Sequence, residues 1–303
     1  MIKTLRFVLA LSLGALALPL LGDSAGNAAA AKGQCIVSLS PTATETLYSI
    51  GAGPQVQAVD SDSDFPTSGL PTKRINALNP SVESVLGICK STKSHPSTKP
   101  DLVVISYDAN SIKEKLTNLG VKVVFQDAAT SVADALSQIR QLGRLTGHVA
   151  RADSLASFMN TYIKADIASV PKHPNKKITV YYEIGTNPYY SLTSKTFVGS
   201  LMKSLGLVNI ADADSTTADA GYPELSSEYI VSANPKLIFL ADSVKASSLA
   251  KRPGFSKVSA VANHNVIELN ADIASRWGPR LGVLMYQLAS EVKKVLHESK
   301  LWK

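Results

Sequence analysis

Five carboxylates fall where apolar runs that read as strands come to an end: Asp62, Asp64, Asp108, Glu183 and Asp272. Acids so placed can work as a general acid and base, or gather round a metal ion. Solvated loop carboxylates and helix caps explain them more simply, because no convergent nucleophile and base accompany them. The chain has no GxSxG elbow, no HExxH and no GxxxxGK, and Gly51-Ala-Gly53 lacks the third glycine of a dinucleotide fingerprint. The five histidines, His95, His148, His173, His264 and His297, are scattered through helix, linker and turn contexts, and there is no CxxC. Neither an enzyme nor a bound metal or cofactor is therefore expected.

Aromatic side chains at the same strand ends suit binding better than catalysis. Phe65, Tyr107, Tyr189, Tyr190, Tyr222 and Trp277 would line a cleft if two sets of loops faced each other. Rings at loop tips offer broad, stiff contact area for a flat or bulky ligand. The remaining strand-end groups are Ser40-Pro41-Thr42, Ser106-Tyr107-Asp108, Gln126-Asp127, Asp242-Ser243 and the run from Asp272 to Arg276. Arg276 is the one clear base among them, with Lys195 as a second candidate. The 303-residue chain carries a formal charge of +7, but its lysines and arginines are dispersed, so no nucleic-acid footprint is expected.

The elements that must hold these groups alternate between two periodicities. CIVSLS, VQAVDS, DLVVIS and VKVVFQD are apolar strands separated by the helical runs PTATETLYSIGAG, NPSVESVLG and SIKEKLTNLG. The second half repeats the plan with KITVYYEI, a helix from about Thr196, SSEYIVSANP, KLIFLAD, NVIELN and a last helix from about Pro279 to Ser299. Continuous Val/Ile runs separated by helices mark parallel sheets covered on both faces. Such sheets present their useful groups at the carboxyl ends of the strands. Between the halves lies SVADALSQIRQLGRL, a break with Thr146 as a cap, and then HVARADSLASFMNTYIKADIASV. Leu155, Phe158, Met159 and Tyr162 give this second helix a stripe expected to be buried. About twenty-two helical residues at about 1.5 Å each span on the order of 33 Å, enough to join two lobes.

The chain opens with Lys3 and Arg6, an apolar run from Phe7 to Leu21, and a small-residue tract ending in alanines, the layout of a secretory signal peptide over residues 1–31. No second apolar run is long enough to span a bilayer. Export brings Cys35 and Cys89 into an oxidising compartment, so a disulfide between them is expected, with two buried thiols as the alternative. The organisation read from this pattern is an N-terminal lobe over 34–147, a joining helix over 148–170 and a C-terminal lobe over 171–303.

IVSLSPTATETLYSIGAG, QVQAVDSDSDFP, NPSVESV, KPDLVVIS, YPELSSEYIVSANPKLIFLAD and DIASRWGPRL occur in this order. Together they resemble the periplasmic-binding proteins that serve ABC importers of cobalamin and iron–siderophores. The resemblance implies the class III fold of that group: α/β, two lobes, each a mostly parallel sheet flanked by helices, joined by a single long rigid helix. It also implies a monomer that delivers its ligand to a permease dimer in the membrane, from the periplasm or the extracytoplasmic face of the cell membrane. Glu83 in NPSVESV and Glu228 in YPELSSEY match the carboxylates that dock each lobe onto permease arginines.

Among its members the sequence is most similar to the cobalamin binders, whose cleft aromatics match Tyr107, Tyr190 and Tyr222 and whose last-loop Asp and Arg match Asp272 and Arg276. It departs from them in having Asp62 where they carry an aromatic, and tyrosines in place of several tryptophans. The full ligand set expected is Ser40, Pro41, Asp62, Phe65, Tyr107, Tyr189, Tyr190, Tyr222, Asp272, Arg276 and Trp277. A corrinoid is the expected ligand, and a ferric siderophore or haem the alternative.

Overall fold

The structure is a computed structural model that describes residues 33–91, 95, 97–172, 177–213 and 221–298. The expected signal peptide lies outside the described residues. The first half contains five strands, β1 (Ile36–Leu39), β2 (Val56–Asp60), β3 (Arg74–Ile75), β4 (Leu102–Ile105) and β5 (Val123–Phe125). They form one sheet in the order β3-β2-β1-β4-β5, and every pairing is parallel. Helices α1 (Pro41–Ser49), α2 (Val82–Leu86), α3 (Ile112–Asn118) and α4 (Val132–Thr146) flank it, and α5 (Val149–Ser169) follows. All residues of β1 and β4 are buried, as sheets covered on both faces require.

The second half builds a parallel sheet in the order β12-β11-β6-β9 from β6 (Ile178–Glu183), β9 (Leu207–Asn209), β11 (Leu237–Leu240) and β12 (Val266–Glu268). Helices α6 (Phe197–Ser204), α7 (Ser227–Ala233), α8 (Ala246–Leu249), α9 (Ser259–Ala262), α10 (Ala271–Ser275) and α11 (Leu281–Glu298) complete it. Three short strands, β7 (Gly185–Thr186), β8 (Tyr189–Tyr190) and β10 (Glu224–Leu225), make an extra antiparallel sheet, so Tyr189 and Tyr190 sit on a strand rather than in an open loop.

The halves share a core. One unbroken apolar cluster runs from Ile36 and Val104 through Ile139 of α4, Met159 of α5 and Leu288 of α11 to Ile178 and Phe239. Each sheet keeps a second cluster on its other face, around Val37 and Ile105 in one half and Tyr181 and Ile238 in the other. Burying apolar surface on both sides of the joining helix resists any parting of the lobes.

The joining helix differs in detail from its sequence pattern. Its buried residues are Ala152, Ala156, Met159 and Ile163, whereas Phe158 and Tyr162 are exposed and stack on one another with centroids 4.2 Å apart. The reason is the close approach of α4. A Cβ on Gly143 would stand 2.3 Å from that of Ala152, so the shared face carries alanines rather than large rings. Thr146 is not a cap; it closes α4, its hydroxyl donating to the Leu142 carbonyl, and Gly147 ends the helix with φ of 76°. The helix expected to open at Asn79-Pro80 instead starts after Ser81, which accepts from the Ser84 N–H.

Candidate functional site

The two carboxyl edges meet through one arginine. Asp62 and Asp64 follow β2, while Arg276 follows β12 and α10. Arg276 Nη2 donates to the Asp62 carbonyl at 3.0 Å and to Asp272 Oδ1 at 2.7 Å. Its Nη1 donates to Glu45 Oε1 at 2.8 Å and to Asp64 Oδ1 at 2.6 Å. Arg280, one helical turn on, donates from Nε to Glu45 Oε2 at 2.9 Å and lies over the Phe65 ring, 4.4 Å from its centroid. Trp277 Nε1 donates to Gln138 Oε1 of α4 at 2.8 Å. These contacts hold the strand-end loops of one half against those of the other, at the edge where the ligand cleft is expected.

Two guanidinium groups thus face three carboxylates, and Glu45 is only 1% exposed. Burial opposes ionisation of Asp64, but the hydrogen bond and charge of Arg276 outweigh it and hold this carboxyl below its usual range. In Asp272 burial wins. Together with the charge of Asp64 it pushes the carboxyl up, against Arg276 and Arg280.

The aromatics divide into two groups. Tyr107 after β4, Tyr190 on β8 and Tyr222 before β10 are 60%, 43% and 53% exposed, so their faces are open to a ligand. Tyr190 and Glu224 are partners in the small sheet, which brings Tyr222 close to Tyr190. Tyr107 is presented by a tight turn in which Asn110 and Ser111 both take left-handed φ, 56° and 54°. Tyr189, Phe65 and Trp277 are half-buried. Tyr189 packs on Phe255, centroids 5.9 Å apart, beneath the guanidinium of Arg252. Ser40 is buried as the N-cap of α1, accepting from the Ala43 N–H, and Pro41 occupies the first turn.

The other acids named from the sequence have local partners. Glu183, fully buried, takes both Arg252 nitrogens at 2.6 and 2.9 Å and the Tyr181 hydroxyl at 3.1 Å. Burial raises its pKa despite that arginine. Asp108 accepts from the Lys113 N–H. Among the described residues no group of three or more His, Cys, Asp or Glu could hold a metal ion.

Glu45, Gln138, Arg252 and Arg280 were not singled out in the sequence. The four-residue spacing of Arg276 and Arg280, and a lone glutamate in PTATETL, were the available signals.

The expected docking acids occupy equivalent places. Glu83 and Glu228 are exposed, each at the second residue of a helix whose serine cap, Ser81 or Ser226, accepts a backbone N–H. For Glu228 its own backbone N–H and Ser227 hold the carboxyl below the usual range. A disulfide joins Cys35 to Cys89, tying the chain just after α2 to the start of β1.

Two parallel sheets, strand ends in apposition and a helix sharing both cores define a two-lobed binding protein. The periplasmic binding protein family matches residues 36–273, and the chain belongs to it. An ABC transporter substrate-binding lipoprotein of Bacillus subtilis is 31% identical over 265 residues, covering 85% of this chain and 79% of that protein. The periplasmic vitamin B12 binding protein of Vibrio cholerae superposes with a TM-score of 0.72 at 25% identity, covering 87% and 98% of the two chains. A Staphylococcus epidermidis periplasmic solute-binding protein, named as a possible iron binder, gives 0.71 at 27% identity, covering 86% and 99%. This chain is a solute-binding protein of the ABC importer class, not an enzyme.

Proposed function

We propose that this protein takes a corrinoid of the cobalamin type into its interlobe cleft, outside the cytoplasmic membrane, and delivers it to an importer permease. One observation carries the choice of ligand: three exposed tyrosines flank a cleft whose Arg276 and Arg280 are already matched by Glu45, Asp64 and Asp272. Anionic siderophores call for uncommitted cations, whereas a bulky, amide-rich macrocycle calls for ring faces and scattered hydrogen bonds. The likeness to vitamin B12-binding relatives supports the same choice. Glu83 and Glu228, one on each lobe and both on rigid first helical turns, suit docking on permease arginines, where such charges set register and steer association.

Haem is the second reading, because an exposed cleft tyrosine can ligate its iron. Equilibrium dialysis of the protein lacking its leader against cyanocobalamin, haemin and a ferric hydroxamate decides between them. Retention of cyanocobalamin alone is expected. Retention of haemin or the hydroxamate with no cyanocobalamin overturns the corrinoid reading.

A further inference from the structure

A chain of buried hydroxyls ends on a carboxyl beneath the cleft loop. Asp60 Oδ2 lies 2.5 Å from Ser63 Oγ, which lies 2.8 Å from Thr44 Oγ1. Thr44 Oγ1 lies 2.8 Å from Ser38 Oγ, and Ser38 Oγ lies 3.2 Å from the Ser40 carbonyl oxygen. Each of these oxygen–oxygen contacts needs one proton. The three hydroxyls of Ser63, Thr44 and Ser38 supply one apiece, the terminal carbonyl supplies none, and the remaining proton has one place left, the Asp60 carboxyl. With Asp60 ionised, three protons serve four contacts and one contact, wherever it falls along the chain, has none.

We infer that Asp60 is carried in its acid form, donates to Ser63, and is the positioning residue of the Asp60–Phe65 loop. The surroundings agree. Asp60 is 1% exposed, and an unpaired buried carboxylate is costly. Burial pushes its carboxyl up, with the charge of Asp62 helping and the Ser63 and Asp62 hydrogen bonds opposing. The cation on the neighbouring strand, Arg74 of β3, directs Nη1 to the carbonyls of Asp60 and Ser63 rather than to a carboxylate. On α1, Glu45 faces Arg276 and Arg280; Asp64 and Asp272 face Arg276 as well. The other Asp60 oxygen, Oδ1, accepts from the Asp62 N–H at 2.9 Å. The proton therefore fixes the turn whose Asp62 carbonyl and Asp64 carboxylate receive Arg276 from the opposite lobe.

Asparagine reproduces the acid form: its amide N–H can donate to Ser63 while its oxygen accepts from Asp62. At about pH 5, above the ordinary aspartate value of about 3.9, Asp60→Asn should melt within about 2 °C of wild type and Asp60→Ala at least about 4 °C lower. Wild type should show the infrared carbonyl stretch of a protonated carboxylic acid at that pH. The band should shift when aspartate is labelled with 13C at Cγ, and the spectrum of wild type minus that of Asp60→Asn should contain one such acid carbonyl, with any Asp272 contribution common to both. As pH rises, stability contributed by a raised carboxyl is lost through its folded-state value, so wild type should fall relative to Asp60→Asn. Absence of a label-sensitive acid band from the wild-type minus Asp60→Asn difference at about pH 5 overturns the inference, as does Asp60→Asn melting as low as Asp60→Ala.

Discussion

Arg276 decides more at this site than any other single residue. It was expected among the ligand contacts with Asp272, yet its donors meet Glu45, Asp64, Asp272 and the Asp62 carbonyl. Sequence could show a base at a strand end; it could not show a glutamate 231 positions away turned onto it. Removing the arginine leaves Glu45, 1% exposed, with Arg280 as its guanidinium partner and takes this cation from Asp64 and Asp272. Arg276→Met should therefore destabilise the protein by about 1.5–3 kcal/mol, read as a fall in denaturant midpoint; a loss under about 0.5 kcal/mol would show that the contact is idle. Acid should weaken the same contact. The Asp64 carboxyl is held below its usual range, so its contribution is present above about pH 3.9 and fades as pH falls through the depressed value. Tyr190→Ala and Tyr222→Ala are each expected to weaken cyanocobalamin binding by about 1–3 kcal/mol, measured calorimetrically; unchanged affinity in both would place the ligand elsewhere.

The elements were legible where their periodicity was long and their termini chemically marked. Ser131 and Gly147 bracket α4, and the wholly buried runs IVSL, LVVI and LIFL mark β1, β4 and β11. The two-residue strands of the small sheet left no pattern to read, because two positions carry no alternation. The face of α5 was misassigned at Phe158 and Tyr162 because large apolar residues at helical spacing look buried, while the true contact selects for smallness. Gly143→Val puts side-chain atoms into that contact and should cost about 1–3 kcal/mol in chemical denaturation. A neutral result would mean that α4 and α5 can separate freely. The Cys35–Cys89 bond, expected from two cysteines and an export signal, is present and closes the segment that carries α2.

At the scale of the molecule, one apolar cluster through α4, α5 and α11 makes the lobes parts of a single packed body, with the Arg276 contacts across the front. Ligand capture should accordingly involve little lobe motion. X-ray scattering of the free and loaded protein should give radii of gyration that agree within about 0.5 Å, against roughly 19 Å for a compact chain of this size. The two mostly parallel sheets followed from the sequence, whereas the order of their strands, the short β3 and β9, and the apposition of the sheet edges depended on pairings between residues far apart in it. Delivery is a property of the outer surface. Glu83→Ala with Glu228→Ala should leave ligand affinity intact and abolish importer-dependent uptake, and normal uptake by the double variant would remove the docking role. The most direct test of the whole account is calorimetric titration of residues 33–303 with cyanocobalamin. One-to-one, submicromolar binding is predicted; a folded protein giving no saturable heat would contradict it.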